Sequence, residues 1–122
     1  MENKEIYLET GNLDKVNKNH PERRGWVLGS FVEESKLRNS KICEVKWTKL
    51  SKGEKIPSRM AQDSAARTLV ILLSGKLKII FSNKTVLLSE PADYIIYNNT
   101  IQHENEALED SNLVTVRWRE KN

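Results

Sequence analysis

Cysteine is nearly absent: Cys43 stands alone among 122 residues, so no disulfide can close within the chain, and a reducing compartment suits it. Long apolar runs are missing too. The longest, Leu69 to Leu73, has five residues, against the ~18 that a membrane-spanning helix needs. The opening residues, Met-Glu-Asn-Lys-Glu, lack a basic segment followed by an apolar one. No secretory leader is expected, and a cytoplasmic location follows by default. Internal repeats and low-complexity tracts are lacking. After Gly25 no segment keeps helical spacing for three turns, which argues against a helical domain.

What is present suits one soluble domain, with 38% hydrophobic and 30% charged residues. The net charge of +3 is unevenly spread. From Lys36 to Arg59 there are eight Lys or Arg residues and two Glu. Such a stretch can bind phosphate backbones, but it is more simply the solvated face of one or two strands. No helix-turn-helix, zinc-finger or RNA-binding aromatic signature accompanies it, so nucleic acid is not the expected partner.

From Gly25 onward the pattern is strand and turn. Trp26 to Val32 is aromatic and β-branched. Ile42 to Leu50 alternates, with Cys43, Val45 and Trp47 on one face and Glu44, Lys46 and Thr48 on the other. Further strands are expected over Thr68–Ser74, Lys76–Phe81, Thr85–Leu88, Tyr94–Tyr97 and Asn112–Trp118, with turns at Lys52-Gly53-Glu54, Gly75, Ser82-Asn83-Lys84 and Glu90-Pro91-Ala92-Asp93. Short strands at regular intervals indicate a sandwich or barrel, and the fold class expected is all-β. Residues 1–22 are polar and read as an N-terminal arm, with a short strand at Ile6-Tyr7-Leu8. Residues 23–122 read as a single domain.

Two segments carry a resemblance. Ala92-Asp93-Tyr94-Ile95-Ile96-Tyr97-Asn98-Asn99-Thr100-Ile101-Gln102-His103 resembles the second cupin motif: a Gly, a Pro six residues on, a Gly two further and a metal-binding His three beyond. Asp93 and His103 match. Ala92, Asn98 and Thr100 stand in place of Gly, Pro and Gly, and Ala107 in place of a final Asn. In the first cupin motif Gly75 matches the closing Gly, which puts Thr68 at the Glu position. The two His fall at Ala61 and Asp63, or at Gln62 and Ser64. Gly25 to Val32 and Asp110 to Trp118 are similar to a group of small stand-alone bacterial cupins. The resemblance implies a cupin-type jelly-roll β-barrel of two antiparallel sheets, a homodimer, and a pocket between the sheets.

The same frame sets expectations about chemistry. A first-row metal commonly takes three or four His, carboxylate or thiolate ligands. Here the frame offers His103 and Asp63 alone, so no cofactor is expected, a divalent metal being the weaker alternative. The pocket implied contains His103, Tyr97, Trp47, Met60, Gln62, Asp63 and Thr68. His103 reads either as a pocket group, as an ordinary satisfied histidine, or as a pH-sensitive one favoured as imidazolium by Glu104, Glu106, Glu109 and Asp110. The function expected is a non-catalytic or weakly catalytic domain that binds a small molecule. The alternative is a metal-dependent oxygenase or isomerase with an atypical ligand set around His103.

Overall fold

The period-two pattern of the sequence becomes inner and outer faces in the computed structural model, which describes residues 8–57 and 63–120. In the strand Asp63–Ser74, Ala66, Thr68, Val70 and Leu72 are buried, while most of the residues between them keep partial exposure. The elements run in chain order as helix α1 (Leu13–Asn19), then strands β1 (Trp26–Leu28), β2 (Cys43–Leu50), β3 (Lys55–Pro57), β4 (Asp63–Ser74), β5 (Leu77–Phe81), β6 (Thr85–Leu88), β7 (Tyr94–Asn99), β8 (His103–Ala107) and β9 (Ser111–Arg119). Two antiparallel sheets form, ordered β1-β2-β9-β4-β7 and β3-β8-β5-β6. The core between them is Leu50, Val70, Leu72, Leu77, Ile79, Leu88, Ala107 and Leu113. Among the described residues no helix is long and apolar enough to cross a membrane.

Two turns show why particular residues stand where they do. Gly75 reverses the chain between β4 and β5 at φ +93°, and a Cβ there would collide with the Asp110 carbonyl oxygen and with Ser111. Only glycine meets both demands. Ala92 occupies a similar left-handed conformation, φ +77°, at the position where the cupin motif has Gly. The turn tolerates it because the Asp93 carboxylate accepts hydrogen bonds from the Ser89 and Glu90 N–H groups, each at 3.0 Å.

The structure departs from the sequence reading at several elements. β1 stops at Leu28 instead of running to Val32, because the chain folds back at Gly29. The Gly29 N–H donates to the Arg38 carbonyl, and the Gly29 carbonyl accepts from the Ser40 N–H. β4 begins at Asp63, five residues earlier than expected. β3 and β8 carry no alternating apolar signal and were not anticipated; the inward side chains of β8 are His103, Asn105 and Ala107. Helix α1 forms within residues 1–22. Asn12 caps it by accepting from the Lys15 N–H, and Asp14 in its first turn suits the helix dipole. The helix is tied to β2: Asn17 Nδ2 donates to the Trp47 carbonyl, and Asp14 accepts from Trp47 Nε1 and pairs with Lys49. The expected strand at Ile6-Tyr7-Leu8 lies mostly outside the described residues; Leu8 itself is exposed and not in a strand.

Candidate functional site

Strand register lines up the inward side chains in rows across the larger sheet. Glu44 on β2 stands opposite Arg117 on β9, Arg117 opposite Thr68 on β4, and Thr68 opposite Tyr97 on β7. The next row toward the core is Lys46, Thr115, Val70 and Ile95. On the facing sheet, His103 and Asn105 of β8 point the same way as the buried Ala107. Between the sheets lies an open cavity of about 1120 Å³, lined among others by Trp26, Lys46, Thr68, Tyr97, His103 and Arg117.

Of the expected pocket residues, Trp47, Asp63, Thr68, Tyr97 and His103 all line this cavity. Met60 and Gln62 lie outside the described residues. Trp47 stands on the side of helix α1, where its indole donates to Asp14. Alternation along β2 turns its side chain away from the row containing Lys46. The indole that does sit in that row is Trp26, paired in register with Lys46. Its ring centre is 4.4 Å from the Arg117 guanidinium carbon and 5.7 Å from Lys46 Nζ. Sequence reasoning missed Trp26, Lys46 and Arg117 as site residues. Alternation alone had put the apolar Val45 face of β2 inward, and here the polar face is the inner one.

Three polar contacts define the chemistry. Thr68 Oγ1, almost fully buried, donates to Asn99 Oδ1 at 2.7 Å. Tyr97 Oη and His103 Nε2 are hydrogen-bonded at 3.0 Å. Burial pushes the Tyr97 phenol up to about 12, so it stays protonated and is the natural donor to an unprotonated imidazole. Arg119 and Asp63 form an ion pair, and the second Asp63 oxygen accepts from the Ala65 N–H.

Burial holds His103 below the ordinary histidine value; the Ile101 backbone opposes this and Arg117 adds to it. This corrects the expectation that acidic neighbours favour the imidazolium. Glu106 pairs with Lys78 and Glu109 with Lys76, and Asp110 accepts from the Lys52 N–H. Burial likewise pushes the Lys46 ammonium down, with Arg117 and Arg24 adding to it. Arg117 Nε and Asn105 Oδ1 are buried without hydrogen-bond partners among the described residues.

No family model matches the chain, and neither does any curated protein. Solved structures do match. A cupin superfamily protein from Desulfitobacterium hafniense DCB-2 aligns at TM-score 0.57 and 16% identity, over 66% of this chain and 71% of that one. KdgF from a Halomonas species aligns at TM-score 0.55 and 18% identity, over 68% and 74%. A sugar phosphate isomerase from a cupin superfamily, from Silicibacter pomeroyi DSS-3, aligns at TM-score 0.54 and 16% identity, over 65% and 52%. This chain is a small cupin-fold protein. The two antiparallel sheets are those of the cupin jelly roll, and the inner rows described above occupy its interior.

The cupin pattern carries a metal, and the residues here do not fit one. At the Glu position Thr68 offers a neutral hydroxyl already bonded to Asn99. Asp63 is held by Arg119, and His103 by Tyr97. Among the described residues no three His, Cys, Asp or Glu side chains gather around a common point. The intervening segment 58–62, Ser-Arg-Met-Ala-Gln, contains none of those residue types.

Proposed function

We propose that this chain is a small-molecule-binding cupin domain, non-catalytic or weakly catalytic, whose ligand enters the cavity between the two sheets. The observation that carries the reading is the pairing of Thr68 with Asn99 and of Tyr97 with His103 at the positions where the cupin motifs bear on chemistry. Neutral hydroxyls, an amide and an unprotonated imidazole recognise a polar ligand by hydrogen bonding; they do not assemble a Lewis acid. Asp63 completes the wall on the Arg119 side, and Met60 and Gln62, outside the described residues, are proposed as ligand contacts.

Thermal melting against a library of small polar metabolites tests this. A ligand at 100 times its Kd should stabilise the fold by about 2.7 kcal/mol. Thr115→Phe, which fills the cavity from β9, should abolish the shift. Shifts that persist in Thr115→Phe would move the site elsewhere. A parallel arm adds zinc, nickel, iron or manganese. Stoichiometric metal whose stabilisation disappears in His103→Ala would restore the metal-dependent oxygenase or isomerase.

The proposal extends to assembly and location: a homodimer in the cytoplasm, with residues 1–22 as an arm on a domain spanning 23–122. The support is on the outer face of the larger sheet, where Leu73, Tyr94 and Ile96 are exposed, the last two on the outermost strand β7. Apolar area of that kind favours a second copy. Light scattering should give twice the chain mass, and Ile96→Lys should halve it.

A further inference from the structure

The charges at the open end of the cavity do not balance. Arg24, Lys46 and Arg117 converge there, and Lys46 feels the other two as like charges. Of the carboxylates lining the cavity, Glu22, Glu44, Glu54 and Asp63, only Glu44 pairs with any of these three among the described residues, at 3.4 Å from Arg117 Nη1. Other carboxylates in the cavity wall are already paired: Asp63 with Arg119, and Glu22 with Arg23. Lys46 has no carboxylate partner among the described residues and rests against the Trp26 ring instead. Arg117 turns one guanidinium edge to Glu44 and one face to Trp26, and leaves Nε buried without a partner. Burying cations with too few counter-charges is costly, and a bound anion would supply the missing charge.

We propose that the cavity binds a small organic anion, its carboxylate or phosphate seated between Lys46 and Arg117 over Trp26 and its polar body reaching Tyr97 and His103. This rests on the reading of the cavity as a ligand site and names the class of ligand. Arg117 presents a planar donor edge and Lys46 a point charge, a combination that suits either oxyanion. The Trp26 indole fixes the direction of both cations and keeps water from one side of them. Tyr97 and His103, in the adjoining row, supply a hydroxyl and an imidazole for ligand hydroxyls.

Calorimetric titration with glucose 6-phosphate, glucuronate, inorganic phosphate and glucose tests the proposal. At least one of the three anions should bind tenfold or more tightly than glucose, and its affinity should fall with added salt. Phosphate-bearing and carboxylate-bearing probes tell the two oxyanions apart. Arg117→Gln should weaken the anion at least tenfold, and Lys46→Gln should do the same without disturbing the Glu44 contact. Lys78→Gln, outside the cavity and paired with Glu106, should bind as wild type. Melting curves check that each variant folds; if Arg117→Gln does not, Lys46→Gln decides. Glucose binding as tightly as the anions, with both cavity variants unaffected, would overturn the anion class while leaving the cavity reading intact. No binding by any of the four probes would overturn both.

Discussion

Each inner strand changes character along its length, and the two ends of the jelly roll differ as a result. On β2 the inward residues run Leu50, Thr48, Lys46, Glu44; on β9 they run Leu113, Thr115, Arg117; on β4, Leu72, Val70, Thr68. On β7 the series is Ile95, Tyr97, Asn99, and on β8 it is Ala107, Asn105, His103. One end is a dry core in which Leu72, Leu77 and Ile79 have no exposure at all. The other end is the cavity, where buried polar atoms and like charges accumulate. The same sheets therefore serve two purposes. Apolar burial at one end supplies the stability that lets the other hold groups which, by themselves, oppose folding.

The largest way to break this division is at the dry end. Leu72→Ala should destabilise by about 3 kcal/mol, because the removed methyl groups leave a cavity that close-packed neighbours cannot refill; urea denaturation measures it. A smaller loss is expected where the two ends meet. Thr68→Val keeps shape but leaves Asn99 Oδ1 buried without its donor, at a cost of about 2 kcal/mol in the same assay. At the open end the sign should reverse. Lys46→Met removes a part-buried charge lacking a carboxylate partner and should raise stability by about 1 kcal/mol while abolishing anion binding. A loss of stability in Lys46→Met would show that the cation contributes to the fold and would dissolve the contrast.

Two finer tests sharpen it. Ala92→Gly should stabilise by about 1 kcal/mol, since glycine adopts φ +77° without the Cβ penalty; the change lies at the turn into β7, on the core side, and should leave the cavity untouched. The smallest effect is in pH. His103 is held below the 6.5 of a free imidazole, so on acidification the unfolded chain takes up the proton first. Stability attributable to this residue is complete above pH 6.5 and falls as pH drops through the folded value. His103→Gln should flatten the stability profile between pH 7.5 and 5.5 relative to wild type. An equal slope in both proteins would mean that His103 is not desolvated.

The chain by itself determined the strands that carry an apolar alternation and the turns that demand glycine. β5, β6 and β9 lie within a residue or two of where composition puts them, and Gly75 is required by its φ and by the contact with Ser111. Hydrophobic period and turn chemistry are local, so they can be read from sequence. The resemblance to the cupin motifs implied the cupin fold and singled out His103, Tyr97 and Thr68, which line the cavity. Tertiary structure decided the rest. β8 has an apolar residue only at Ala107, and its pairing with β3 and β5 makes it a strand. The sidedness of β2 was beyond local reading, because the apolar face of Val45 and Trp47 is covered by helix α1 and neighbouring strands on the outer side. Packing turns Glu44 and Lys46 inward, where Glu44 meets Arg117 from a strand 73 residues away. A charge can be kept inside when its surroundings come from distant strands, and no window of sequence contains them.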